Sequence, residues 1–228
     1  MWAAVVDWEP VIGEATEMIA NMTGPQRFLA AWQAATGRPA SALLHAELLR
    51  AYSEPHRTYH SVAHLDDCLA HFDAARDLAV RPAEVELALW FHDAVYDPRR
   101  SDNEQRSAAL AVQELKTADA PAEVVGRVES LILATKHDGR PETDDDRLIC
   151  DVDLAILGSH PEKFDQYDQA IRGEYDFVPE PQYREGRARI LAGFLNRDFI
   201  YATTFFRKRY EKQARINLER AIARLHSA

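Results

Sequence analysis

An all-α fold follows from three features of this sequence. Glycine is scarce, at 9 of 228 residues. Ala, Leu, Glu and Arg dominate, all residues that lose little on entering a helix. No segment alternates apolar and polar residues as a half-buried strand does, and no Asn-Gly or Asp-Gly pair joins two apolar runs; Asp138-Gly139 lies between a helix end and a polar loop. The length suits one domain, and a chain of this size buries enough surface to fold without a disulfide or metal staple.

Residues 1–23 carry Trp2, Trp8, Pro10 and Gly13 and show no long period, so they are expected to form an extension packed on a body spanning 24–228. The first helix of the body starts after Thr23, with Pro25 in its first turn and Gly37 past its end. Further helices are expected at about 40–53, 61–79, 82–96, 103–118, 121–137, 144–158, 161–175, 181–197 and 203–226, roughly ten in all with short polar links. Pro82 and Pro121 suit first turns and Gly158 a stop. The run Asp144-Asp145-Asp146 reads as a solvated helix start facing the positive end of the helix dipole. Phe205, Phe206 and Tyr210 read as core or oligomer contacts, so a homo-oligomer is admissible.

Composition narrows the function. Hydrophobic residues at 46% and charged residues at 28% are ordinary globular usage. A net charge of -10 argues against bulk nucleic-acid binding, which needs clustered Lys and Arg against the phosphates. No run of apolar residues is long enough for a membrane span. Asp7 and Glu9 interrupt the apolar start, and no basic region precedes it, so no signal peptide is expected. Cys68 and Cys150 are too few for a disulfide framework and read as small buried hydrophobes. A cytoplasmic, reducing location is the expectation.

The informative residues are ionisable ones on apolar stripes. In the 82–96 helix the stripe Val85, Ala88, Leu89 continues through His92 to Val95 and Tyr96, and Asp93 follows at the rim. In the 61–79 helix His64 lies four residues before Cys68 on the side marked by Leu65, Leu69 and Phe72. In the 144–158 helix Asp153 sits between Ile149 and Ile156, with Asp151 nearer the edge. A lone buried carboxylate costs several kcal/mol unless it is paired or protonated. Two imidazoles (His64, His92) and two carboxylates (Asp93, Asp153) can share one divalent cation, which compensates both acids. Mixed N and O donors suit Mn, Fe, Co, Ni or Zn, and admit Mg. Four protein ligands around a six-coordinate ion leave open positions, the mark of a catalytic metal.

At these residues the chain resembles the HD-domain superfamily of metal-dependent phosphohydrolases: a His, then a His-Asp doublet in Trp90-Phe91-His92-Asp93, then a distant Asp in Asp151-Val152-Asp153-Leu154. Tyr59-His60-Ser61-Val62-Ala63-His64 is also similar to the first metal motif of cyclic-nucleotide phosphodiesterases, in which the first His donates a proton and the second binds metal. More narrowly, the chain resembles small bacterial proteins described as predicted metal-dependent HD phosphohydrolases. The stretches that carry this are Phe91–Asp97, Asn103–Ala108, Thr135-Lys136-His137, Asp153–Gly158, Ile171-Arg172-Gly173-Glu174-Tyr175 and Ala214–Leu218. They span roughly residues 25–225.

The resemblance implies an HD-type helical bundle with a central metal site, and a phosphomonoesterase or phosphodiesterase acting on a small phosphorylated compound such as a nucleotide. Metal would be held by His64, His92, Asp93 and Asp153, with Asp151 as the competing last ligand. Asp93 would orient or deprotonate water, and His60 would protonate the leaving oxygen, since imidazole titrates near neutrality. Lys136 would take part in the chemistry and, with His137 and Arg172, balance phosphate charge. His137 is alternatively a ligand of a second metal. Two rival readings are a di-iron HD-type oxygenase, which needs more histidine ligands, and a non-catalytic metal- or nucleotide-binding protein.

Overall fold

The computed structural model describes residues 23–41 and 43–227. The extension expected over 1–23 therefore lies, but for Thr23, outside the described residues. Among the described residues there are ten α-helices and no strand. They are α1 (Pro25–Thr36), α2 (Leu44–Tyr52), α3 (Val62–Ala75), α4 (Pro82–Phe91), α5 (Asn103–Thr117), α6 (Ala122–Ala134), α7 (Asp144–Asp153), α8 (Pro161–Glu174), α9 (Glu180–Leu195) and α10 (Thr204–Ser227). Two 3-10 turns, Arg76–Leu78 and Leu154–Gly158, continue α3 and α7. None of the helices is long and apolar enough to cross a membrane.

α4 is the axis of the fold. Every residue from Glu84 to Phe91 is buried, and the helix packs against α1, α3, α5, α6 and α7. A helix enclosed all round shows no amphipathic stripe, so the inward position of His92 follows from the whole of α4 being core. Its two buried acids are met by arginines: Glu84 by Arg127 at 2.6 Å, Glu86 by Arg27 at 2.8 Å and by Arg76 at 2.5 Å. A second group, α8 to α10, joins this core through the 3-10 turn after α7, which packs on α10. Gly158 makes that approach, since a Cβ there would stand 2.5 Å from the Cβ of Tyr210.

The acidic run at the start of α7 is not simply solvated. Asp145 is buried and accepts the amides of Val80 and Arg81 at 2.7 and 3.1 Å. Asp146 completes a capping box with Thr143, each side chain accepting the other's backbone N–H. Only Asp144 is exposed, paired with Arg147.

Candidate metal centre

Three helix termini bring the site together. His64 lies in the first turn of α3, the doublet His92-Asp93 follows the last residue of α4, and Asp153 is the last residue of α7. α4 stops at Phe91, five residues short of the expected end, and this allows neighbouring residues to aim at one point. The turn that follows α4 is held by a buried arginine from the loop before α3. Arg57 donates to the carbonyls of Asp93 at 2.6 Å, Ala94 at 3.1 Å and His60 at 3.2 Å, between the rings of Tyr52 and Tyr96. The amide of Asp93 donates to the Tyr52 hydroxyl at 3.2 Å.

The donor atoms converge. His64 Nε2 lies 3.2 Å from His92 Nε2, 3.5 Å from Asp93 Oδ2 and 3.2 Å from Asp153 Oδ1. His92 Nε2 lies 3.2 Å from the same Asp93 oxygen and 3.6 Å from the same Asp153 oxygen. His92 Nδ1 is 2.8 Å from the carbonyl of Leu89, so it carries the proton and turns the Nε2 lone pair toward the cluster. His64, Cys68, His92 and Asp153 form a buried cluster that could hold a metal ion. Cys68 Sγ stands 3.6 and 3.8 Å from the two ring nitrogens of His64. Nearly equal distances set the sulfur beside the ring, whereas the Asp93 oxygen faces both Nε2 atoms.

The electrostatics have the same origin. Burial resists charge on all four groups, and their mutual attraction overcomes it. The Asp93 carboxyl is held well below its ordinary value by His92, His60 and His64, and that of Asp153 by His137, His64 and His92. The imidazoles of His64 and His92 are pushed well above theirs against the cost of burial, His64 by Cys68, Tyr59, Asp153 and Asp93, and His92 by Asp93, Tyr52 and Asp153. A set of lone pairs this dense needs positive charge at its centre, as protons on the rings or as a cation.

The structure assigns Asp151 and Asp153 to different neighbourhoods. Asp151 accepts the amides of Ala202 and Thr203 at 2.6 and 2.7 Å, just ahead of α10. Asp153 divides its oxygens between the cluster and His137, whose Nε2 is 2.8 Å from Asp153 Oδ2. His137 takes φ 58, in the left-handed region that histidine enters more readily than most residues, and Arg197 donates to its carbonyl at 2.8 Å.

His60 is brought beside the cluster, its ring 5.8 Å from that of His64 and stacked on Tyr96 at 4.2 Å. Its Nδ1 is 2.7 Å from Glu174 Oε2, which also accepts from the Tyr96 hydroxyl at 2.7 Å. The other Glu174 oxygen takes the amides of Tyr59 and His60. Burial alone would raise the Glu174 carboxyl, but His60, Tyr96 and the Tyr59 amide bring it down to about 2. Sequence reasoning passed over Glu174, although it continues the buried stripe Phe164, Tyr167, Ile171 along α8.

Two expected phosphate anchors stand elsewhere. Lys136 pairs with Asp138 at 2.9 Å. Arg172 donates to Glu180 at 3.0 Å and to the carbonyls of Tyr175 and Val178 at 2.6 and 3.2 Å, closing the turn between α8 and α9. A cavity of about 330 Å³ does open beside Asp153, His60 and His137, and the arginine in its wall is Arg187.

No family model matches this chain, and no match was found among curated proteins or solved structures. The chemistry of the site therefore rests on its own geometry. Two imidazole nitrogens and two carboxylate oxygens, with one ring tautomer fixed by a backbone carbonyl, are a donor set suited to a divalent transition ion.

Proposed function

We propose that the chain is a metal-dependent phosphohydrolase of the HD type, acting on a small phosphorylated compound, with His64, His92, Asp93 and Asp153 as metal ligands. The observation that carries this is the convergence of those four donor atoms, from three separate helix ends, with His92 Nδ1 already committed to Leu89. A divalent ion held by these residues would supply an activated water and polarise a phosphoryl oxygen. Asp93, whose side chain is 14% exposed against 1% for His92, orients the attacking water. His60, held by Glu174 through Nδ1, presents Nε2 as the proton donor to the leaving oxygen. Glu174 is a positioning residue: it accepts from Nδ1 and fixes the angle of the ring.

The contact of His137 with the second oxygen of Asp153 favours one further reading. His137 and Asp153 could together hold a second ion, which would suit either a two-metal hydrolase or the iron-dependent oxygenase.

A phosphatase screen of the full chain with added Mn, Co, Ni or Mg tests the proposal. Hydrolysis of at least one phosphoester that depends on added metal, and that His92→Ala abolishes, is the expected result. Tight phosphoester binding without turnover across the panel would reduce the site to a sensor, and oxygen-dependent turnover with bound iron would favour the oxygenase.

A further inference from the structure

The cavity beside the cluster has a chemistry of its own. One wall is a single face of α9, carrying Tyr183, Gly186, Arg187, Ile190 and Phe194; Tyr167 and Ile171 of α8 contribute to the facing side. Among the described residues, Arg187 is the only Lys or Arg in the lining. Its guanidinium is already balanced, 3.1 Å from Asp168 and 5.1 Å from the Tyr167 ring centroid, and it is buried. The two lining histidines are each engaged by a carboxylate, His60 by Glu174 and His137 by Asp153. Among the described residues, no cation in this wall is left over for a second or third phosphate. At Gly186 a Cβ would meet nothing within 4 Å, so the cavity reaches the α9 backbone with open space above it.

We propose that this cavity seats the organic part of the substrate and selects an uncharged, ring-sized apolar group, so that the preferred substrate is an aryl-type ester of a single phosphate rather than a polyphosphate or a small polyol phosphate. The phosphate in this assignment rests on the phosphohydrolase reading; the organic group rests on the cavity alone. Aromatic faces and an open backbone surface bind a planar apolar group by area and stacking. A polyphosphate tail placed there would meet paired cations, apolar side chains, tyrosines and the Gln182 amide, none of which brings an unpaired positive charge to replace the water stripped from it.

Calorimetry on the full chain tests this with defined probes. 1-Naphthol is expected to bind both the metal-stripped and the Mn-loaded protein. 1-Naphthyl phosphate is expected to bind the Mn-loaded protein at least tenfold more tightly than glycerol 1-phosphate or tripolyphosphate. Gly186→Phe fills the open space, and Ile190→Glu sets a charge at the rim, where the residue is 56% exposed and folding is little affected. Each is expected to weaken naphthol binding at least tenfold with metal content unchanged. Equal or tighter binding of tripolyphosphate or glycerol 1-phosphate overturns the proposal, as does naphthol binding that neither variant alters. Hydrolysis separates the two ideas: if no ester is turned over while this order of binding holds, the phosphohydrolase reading falls and the cavity assignment stands.

Discussion

Asp151 and Asp153 lie two residues apart at the end of α7, both shielded from solvent, yet they are compensated in different ways. Asp151 faces two amides at the start of α10, and Asp145 does the same for the turn before α4. Glu84 and Glu86 face guanidinium groups. These acids hold elements together and are complete as they stand. Asp153 and Asp93 face imidazole nitrogens, which are good metal ligands and poor permanent counter-charges. A buried acid met by amides or arginine is structural. A pair of acids met by imidazoles at 3.2–3.6 Å is balanced only while those rings hold protons or a cation takes their place, and such a cluster could hold a metal ion.

This contrast can be broken at several points. Glu174 gives the largest stability effect, because it is a buried acid serving the site yet paired within the protein. Its carboxyl falls from 4.5 to about 2 on folding, equivalent to about 3 kcal/mol. Since the folded value is the lower one, this stabilisation is complete above pH 4.5 and disappears as the pH falls toward 2. Glu174→Gln is expected to lower stability by about that amount at pH 7 and to flatten the acid limb, as read by denaturant unfolding against pH. It should also slow turnover while metal content stays unchanged; loss of metal would move Glu174 into the ligand set.

Asp151→Asn comes next. One of two buried amides loses its acceptor, at about 2 kcal/mol. Chemical denaturation should show that loss. The smallest effect belongs to Glu84→Gln, because Arg127 is 38% exposed and the pair is screened by solvent; a change below about 1 kcal/mol is expected. A larger loss there would show that α4 depends on its ion pairs more than on apolar enclosure.

Much of this was legible in the sequence because it depends on local rules. Pro25 and Pro82 open helices as expected, Pro121 stands one residue earlier than expected as the N-cap of its helix, Gly37 closes a helix at φ 66, and ten helices appear close to their expected places. The stripe did not separate Asp153 from Asp151 as expected: Asp151, placed nearer the edge, is the more deeply buried of the two, because it faces the amides of Ala202 and Thr203 from a segment far along the chain. The acidic run of α7 was misread because burial of Asp145 depends on the amides of Val80 and Arg81, far away in sequence. Arg57, which fastens the end of α4, has the same long-range character. Lys136 and Arg172 were selected by residue type alone, and type does not say where a long side chain points. Glu174 and Arg187 lie on apolar stripes of α8 and α9, beside Ile171 and Tyr183 respectively, so the reasoning that found His64 and Asp153 would have found them too.

The most direct test sets the two neighbouring aspartates against each other in a metal titration of the wild type, Asp153→Asn and Asp151→Asn. About one transition ion per chain is expected in the wild type and in Asp151→Asn, with affinity reduced at least a hundredfold in Asp153→Asn while its fold is retained. Equal affinity in all three proteins, or loss in Asp151→Asn alone, would contradict a metal centre built on His64, His92, Asp93 and Asp153.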